Sequence, residues 1–255
     1  MFKISSFNIR CYGLGGEYSG RFRDEKRNSN LKKMIKAELS DCDVMMFQEI
    51  VDLESFKMLL PEGYNTFIYD HDYNRHQRVV ICTKDTYTFT DVQKIPRTVL
   101  DERFSRPALY GQLNKKDSIT PLLHIIGVHL KSGHLHTETR LKQASAIVDF
   151  VKNLDDNTPV ILTGDFNSQP KKLTELEFDD RDLLNEVFKK AGLKLIQNEI
   201  YTYHTHWEKQ VLDHFWVSES VKDPKLWVYD VSKYSGDLKT YYSEISDHLP
   251  LTLSF

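Results

Sequence analysis

The stretch Asp43-Val44-Met45-Met46-Phe47-Gln48-Glu49 sets an uninterrupted apolar run directly before an amide and an acid. Such a run, with no polar alternation, reads as a strand buried on both faces, the kind found inside an α/β protein. Charged side chains are rarely buried without a partner, so a buried strand ending in Glu49 asks for a chemical reason. The same ending recurs along the chain. Asn8 lies near the end of a strand read over 2–10, His129 near the end of one over 122–130, and Asp165 with Asn167 follows one over 159–162. Asp213 with His214 belongs to a strand over 212–217, and Asp247-His248 directly precedes one over 249–255. Each alone passes as a turn, a cap or a solvated loop residue. Together they gather oxygen and imidazole groups at strand ends, which turn chemistry does not explain.

Helices fill the gaps between these strands. Leu31, Met34, Ile35 and Leu39 recur at helical spacing over 29–40, and Leu141, Ala144, Ile147, Val148 and Val151 do so over 137–154. Residues 180–191 also read as helical, and a short helix over 53–60 stops at Pro61-Glu62-Gly63. Further strands are expected over 64–69, 78–83, 87–92, 108–113 and 226–231. No Pro/Ser linker, low-complexity tract or short-period repeat divides the 255 residues, which predicts a single α/β domain over 1–255.

Composition narrows the chemistry. With 40% hydrophobic and 28% charged residues the chain has ordinary globular content. A formal net charge of −3 neither announces nor excludes a nucleic-acid partner, because the local field of a metal-loaded cleft decides phosphate binding. Cys11, Cys42 and Cys82 are far apart and form no CxxC, so they are expected as buried, reduced thiols. No transmembrane-length stretch and no signal-peptide pattern occur; the expected location is cytoplasmic for the sequence as it stands, or secreted if a leader has been removed. The sequence contains no HExxH, GxSxG or GxxxxGK[ST], which counts against zinc peptidases, serine hydrolases and P-loop NTPases. Carboxylate and amide oxygens suit a hard cation such as Mg²⁺, which leaves sites for water and phosphate oxygens. Histidines beside them can move or donate protons near neutral pH.

Six segments in order resemble the motifs of the endonuclease/exonuclease/phosphatase superfamily. They are Ile4-Ser5-Ser6-Phe7-Asn8-Ile9-Arg10, then 43–49 as quoted, Gly127-Val128-His129-Leu130, Leu162-Thr163-Gly164-Asp165-Phe166-Asn167, Leu212-Asp213-His214-Phe215, and Ser246-Asp247-His248-Leu249-Pro250. Phe104-Ser105-Arg106-Pro107-Ala108 further resembles the arginine segment of the deoxyribonuclease I branch, and 69–84 its strand–loop–strand. The resemblance implies an α/β four-layered sandwich, two packed mixed β-sheets flanked by helices, with the active site at one end of the sheets.

It also implies roles. Asn8, Glu49 and Asp247 would hold the metal, Mg²⁺ with Mn²⁺ or Ca²⁺ as substitutes. Asp165 and Asn167 would orient the attacking water and the scissile phosphate. His248, held by Asp213, would contact that phosphate, and His129 would be a second proton donor or phosphate ligand on the leaving-group side. Arg106 would neutralise phosphate charge through its bidentate fork. Gln77 stands where the deoxyribonuclease branch has a glutamate that holds the first histidine, so it is expected to accept the ring N–H of His129. Lacking the glutamate's charge, it would leave His129 a hydrogen-bond donor or phosphate ligand more than a strong base. Tyr73 and Arg78, in or beside the polar-aromatic loop before the next strand, could enter a nucleic-acid groove. Lys131, with His134, His136, Arg140 and Lys142, could track a phosphate backbone, unless Arg140 and Lys142 are simply the solvated face of a helix. The activity implied is phosphodiester hydrolysis leaving 5′-phosphate and 3′-hydroxyl ends, by a monomer acting on DNA as an endonuclease. The alternatives are phosphoinositides, sphingomyelin or RNA as substrate, or a non-catalytic binding module.

Overall fold

The computed structural model describes residues 1–12, 25–68, 77–95, 106–155, 157–168, 180–197, 199–204, 209–233 and 237–255, with the backbone alone for His134. One six-stranded sheet is built from β1 (Lys3–Tyr12), β2 (Val44–Ile50), β3 (Tyr64–Phe67), β4 (Arg78–Lys84), β13 (Lys225–Val228) and β14 (Leu251–Ser254), in the order β13-β14-β1-β2-β4-β3. The other contains β5 (Tyr87–Lys94), β6 (Leu109–Lys115), β7 (Pro121–His129), β8 (Val160–Asp165), β9 (Leu193–Ile196) and β12 (Asp213–Ser218), in the order β5-β6-β7-β8-β12-β9. A two-stranded ribbon, β10 (Tyr203–His204) and β11 (Lys209–Gln210), stands beside them.

Strand alternation sorts the apolar side chains into three cores. Ile4, Val44, Met46, Val79 and Ile81 face Leu109, Leu113, Ile125, Ile161 and Phe215 between the sheets. On the outer side of the first sheet, Phe7, Met45 and Phe47 lie with Leu31 and Met34 of α1 (Glu25–Met34), Phe56 of α2 (Leu53–Lys57) and Tyr241 of α5 (Leu238–Glu244). On the outer side of the second, Ile126, Val128, Leu162 and Trp216 are covered by Ala144, Ile147 and Val148 of α3 (Thr137–Val151) and by Leu184 and Phe188 of α4 (Arg181–Lys189). The four-layered sandwich follows from these three seams. The sheets meet so closely at Gly127 that a Cβ there would stand 2.3 Å from Met46 Sδ.

Two helix starts carry a side-chain cap. Asp52 accepts from Ser55 N at 3.2 Å to start α2, and Asp237 from Thr240 N at 2.8 Å to start α5. The helix expected over 29–40 begins earlier, at Glu25, and finishes as a π-helical turn over Ile35–Leu39. The strand expected over 159–162 runs on to Asp165. Short β9, β10 and β11, and α5, carry too little periodicity to stand out in the sequence. Among the described residues no helix is long and apolar enough to cross a membrane.

Topology decides where the polar strand ends go. Each sheet holds one parallel pair, β1 with β2 and β7 with β8. The carboxyl ends of these four strands therefore share one edge of the sandwich. β14 and β12 run antiparallel to β1 and β8, so their amino ends arrive at that same edge.

Candidate active site

Asn8, His129, Asp165 and Asp213 have the same parity as the residues packed between the sheets, so they project from the end of that seam. Glu49 does not. By alternation it would follow Met45 and Phe47 into the helix layer. It turns into the seam because its φ is +65° and the pairing of β2 shifts on both sides, between Asn8 and Tyr12 and between Phe47 and Ile50. Arg10 and Cys11 opposite are also left-handed, at φ +46° and +49°. Non-glycine residues at such φ cost of order 1–3 kcal/mol and persist only where the surroundings hold them. Here the holding contact is Cys11 N–H donating to Glu49 Oε2 at 2.7 Å.

The groups that result are tightly connected. The Asn8 amide nitrogen donates to Glu49 Oε1 at 3.1 Å and to Asp165 Oδ2 at 3.0 Å, tying the two sheets together. His129 Nε2 stands 3.7 Å and 3.5 Å from the same two oxygens. Glu49, His129 and Asp165 each offer a ligand atom within 4.8 Å of the others. Glu49 Oε2 is occupied by Cys11 N, Cys11 Sγ at 3.0 Å and Gln77 Nε2 at 2.7 Å, which leaves Oε1 facing the group. His248 Nδ1 lies 2.8 Å from Asp213 Oδ2 and its Nε2 3.8 Å from Asp165 Oδ2. Asn167 closes a turn on Asp165, its N–H donating to Oδ1 at 2.9 Å. A cleft of about 490 Å³ opens over this cluster, lined among others by Arg10, Glu49, Arg106, Asp165, Tyr203 and His248.

Burial and charge set the protonation states. Burial pulls the His248 ring down, but Asp213, with Asp165 and Asp247, outweighs it and carries the ring up to about 10, so it is cationic at neutral pH. His129 is held well below the usual histidine range by burial, then by Arg106 and His248, and is neutral. Burial raises the Asp165 carboxyl to about 7, helped by Asp213 and Glu49 against the pull of His248. Burial also raises Asp247, and takes the Cys11 thiol up to about 12 with the help of Glu49. Buried acids that push one another up are short of positive charge. Their hard oxygen donors, with one imidazole, fit a divalent cation.

Among the residues expected at the site, the fold brings Asn8, Glu49, His129, Asp165, Asn167, Asp213 and His248 together at this edge. Asp247 is adjacent, with Oδ2 3.3 Å from Arg10 Nε, and lies outside the Glu49–His129–Asp165 group. Gln77 does not hold His129. Its Oε1 accepts from Arg106 Nη2 at 2.7 Å and its Nε2 donates to Glu49, while His129 Nδ1 has no hydrogen-bond partner among the described residues. The expected contact fails because Gln77 has its amide spent between an arginine and a carboxylate. Arg106 lines the cleft and also donates to Leu130 O at 3.2 Å. Arg78 turns away, Nη1 donating to Val51 O at 2.7 Å. Lys131 is not among the lining residues; its N–H donates to Gln143 Oε1 at 3.0 Å. Tyr73 lies outside the described residues.

Arg140 is not a solvated face: it lines the cleft from a buried position. It is 2% exposed, pairs with Asp180, and donates to Lys131 O at 2.7 Å and Gly133 O at 2.8 Å. Lys142 does pair at the surface, with Glu138. Arg10 and Tyr203 line the cleft without having been proposed as site residues from the sequence, and Cys11, expected buried like Cys42 and Cys82, is partly exposed in the same cleft because the left-handed turn after Asn8 carries it to the rim. For Arg10 and Cys11, their place two and three residues after Asn8 was the available signal; for Tyr203 there was none.

The model of the endonuclease/exonuclease/phosphatase family matches residues 5–248. The comparison with curated proteins finds no match. Among solved structures, the human Nocturnin catalytic domain with bound sulfate is similar at TM-score 0.70 and 19% identity, over 99% of this chain and 93% of that one. The mannosyl-6-phosphatase of Bacteroides thetaiotaomicron is similar at TM-score 0.69 and 19% identity, over 100% of this chain and 99% of that one. The D. rerio TDP2 complexed with single-strand DNA product is similar at TM-score 0.69 and 17% identity, over 99% of this chain and 97% of that one. At these identities the likeness establishes the fold.

Proposed function

The chain belongs to the endonuclease/exonuclease/phosphatase family and is a metal-dependent phosphoesterase, and we propose that it hydrolyses phosphodiester bonds in DNA as an endonuclease. The observation that carries this reading is a hydrogen-bonded His248–Asp213 pair and a Glu49–His129–Asp165 ligand group converging on one cleft. Glu49 would hold the cation, with Asp165 and His129 facing it and Asn8 and Asp247 beside it. Mg²⁺, or Mn²⁺ or Ca²⁺ in its place, would supply positive charge against the phosphate oxygens.

The chain's own residues do the rest. His248 Nε2–H donates to a non-bridging oxygen of the scissile phosphate, its other nitrogen fixed by Asp213. Asp165, aimed by its Asn167 turn, accepts a proton from the attacking water. Neutral His129 acts as a hydrogen-bond donor or phosphate ligand on the leaving-group side. Arg106, steadied by Gln77, offers a planar fork to the phosphate. The expected products carry 5′-phosphate and 3′-hydroxyl ends.

For DNA speak the three arginines that line the cleft, Arg10, Arg106 and the buried Arg140, together with the single-strand DNA product in the similar TDP2 structure. A second reading, a phosphatase acting on a phosphomonoester, is favoured by the limited cleft of about 490 Å³ and by the similar sugar phosphatase. Metal-dependent plasmid nicking by the wild type, with His248→Ala as control, tests the first reading. Parallel assays on oligo(A) RNA, phosphoinositides, sphingomyelin and a sugar phosphate test the others. Turnover there with none on DNA retires the DNA assignment.

A further inference from the structure

Thr202, on the approach to β10, is wholly buried and does not line the cleft. Its hydroxyl oxygen accepts two backbone N–H groups, from Leu212 at 3.0 Å and Asp213 at 3.1 Å. Its own N–H donates to Gln210 O at 2.9 Å, and its carbonyl accepts from Leu249 N at 2.7 Å. The pairing continues along the next two residues. Tyr203 forms a β-bridge with His248, with ring centroids 5.0 Å apart, and His204 N–H donates to Asp247 O at 2.8 Å.

Thr202 thus bonds to both segments that deliver the site's acid and its histidine. Asp213 opens β12 of one sheet, and His248 precedes β14 of the other. The 2.8 Å contact between Nδ1 and Oδ2 spans that divide. Such a contact tightens or opens with a sub-ångström slide of one edge against the other, and hydrogen-bond strength falls steeply with distance and angle. A side-chain oxygen has two acceptor lone pairs, and here both are directed at the first turn of backbone entering β12.

We propose that Thr202 is a positioning residue for the His248–Asp213 pair: its hydroxyl fixes Asp213 and its carbonyl fixes the segment of His248, so that the two meet across the sheets. The inference rests on the reading of that pair as the phosphate-binding proton donor and its orienting acid. Thr202 itself touches no reacting group.

The test compares Thr202→Val, which keeps shape and removes the hydroxyl, with Thr202→Ser, which keeps the acceptor. Thr202→Val is expected to lower kcat about 10- to 100-fold with KM within about threefold, since a slight misplacement of a catalytic group costs that much. In the metal-free protein, the downfield Nδ1–H resonance of His248 should move upfield or broaden away. Thr202→Ser should restore both, and adding Thr202→Val to Asp213→Asn should cost no further activity. Wild-type kcat and an unmoved resonance in Thr202→Val would overturn the proposal, as would a serine variant as impaired as the valine. Should Thr202→Val not fold, Thr202→Cys, with similar volume and a weak acceptor, gives the same comparison. If the wild type turns over no phosphoester, the functional reading falls, while the resonance in the variants still decides whether Thr202 positions the pair.

Discussion

Asp213→Asn is the perturbation with the clearest expected magnitude. The wild-type His248 ring is carried from 6.5 to about 10, with Asp213 first among the groups that raise it against burial. That difference corresponds to about 5 kcal/mol of preference for the protonated ring, at about 1.4 kcal/mol for each pKa unit. Because the folded value lies above the unfolded one, this stabilisation is fully present below pH 6.5 and is lost as pH rises toward 10. With a neutral amide in place of Asp213, burial dominates and the ring is expected to titrate below 6.5. Three measurements follow. Ring titration by NMR in the metal-free protein should show a fall of several units, and denaturation across pH 6 to 10 should lose the wild-type dependence in the variant. Turnover at neutral pH should drop about 100-fold or more, the range for losing a positioned proton donor. A His248 that titrates within one unit of wild type in Asp213→Asn would refute the argument that this carboxylate controls it.

Other expected outcomes are smaller or more local. Gln77→Leu removes one donor from Glu49 Oε2 and the acceptor of Arg106; Mn²⁺ affinity measured by calorimetry should fall about 10-fold, as for lost partners of metal ligands, and unchanged affinity would show that Cys11 and Asn8 suffice to orient Glu49. His214 is fully buried and held at about 4, mainly by desolvation. The unfolded chain therefore takes up this proton first, and stability should fall by up to about 3 kcal/mol as pH drops from 6.5 to 4; in His214→Gln, urea titrations should show a shallower pH slope over that window. Arg140→Met strands the buried Asp180 and frees the carbonyls of Lys131 and Gly133; a loss of about 3–5 kcal/mol in chemical denaturation is expected for a broken buried pair. Gly127→Ala should destabilise by about 1–3 kcal/mol through its overlap with Met46 Sδ, and a wild-type denaturation midpoint would mean that the methionine moves aside freely.

Much of this architecture was legible from apolar pattern alone. Val44 to Phe47 read as buried on both faces because both faces are buried, one against the other sheet and one beneath helices. The polar strand ends were conspicuous for the complementary reason, that polar groups after such strands need partners. These are local signals: a residue's hydrophobicity and its place in a period of two or of 3.6 are written in its neighbours. Where local and global geometry agree, as at Asn8, His129 and Asp165, both the element and the place at this edge could be read.

Where they part, the sequence was silent or misleading. Glu49 was expected at the site, but nothing in residues 43–49 announces the left-handed φ and the slip in register that turn it there against its own alternation. Gln77 was assigned to His129 but is taken by Glu49 and Arg106, because three segments compete for one amide and packing settles the competition. Arg140 looked like a surface charge on a helix and proves to be buried against Asp180, 40 residues away. Thr202 had no periodic or motif signal at all. The chain encodes strands, helices and the kinds of group at their ends through short-range pattern. Which of those groups touch was fixed by contacts as distant as the 157 residues between Asn8 and Asp165, where shape and hydrogen-bond geometry in the folded seam, not sequence spacing, set the distance.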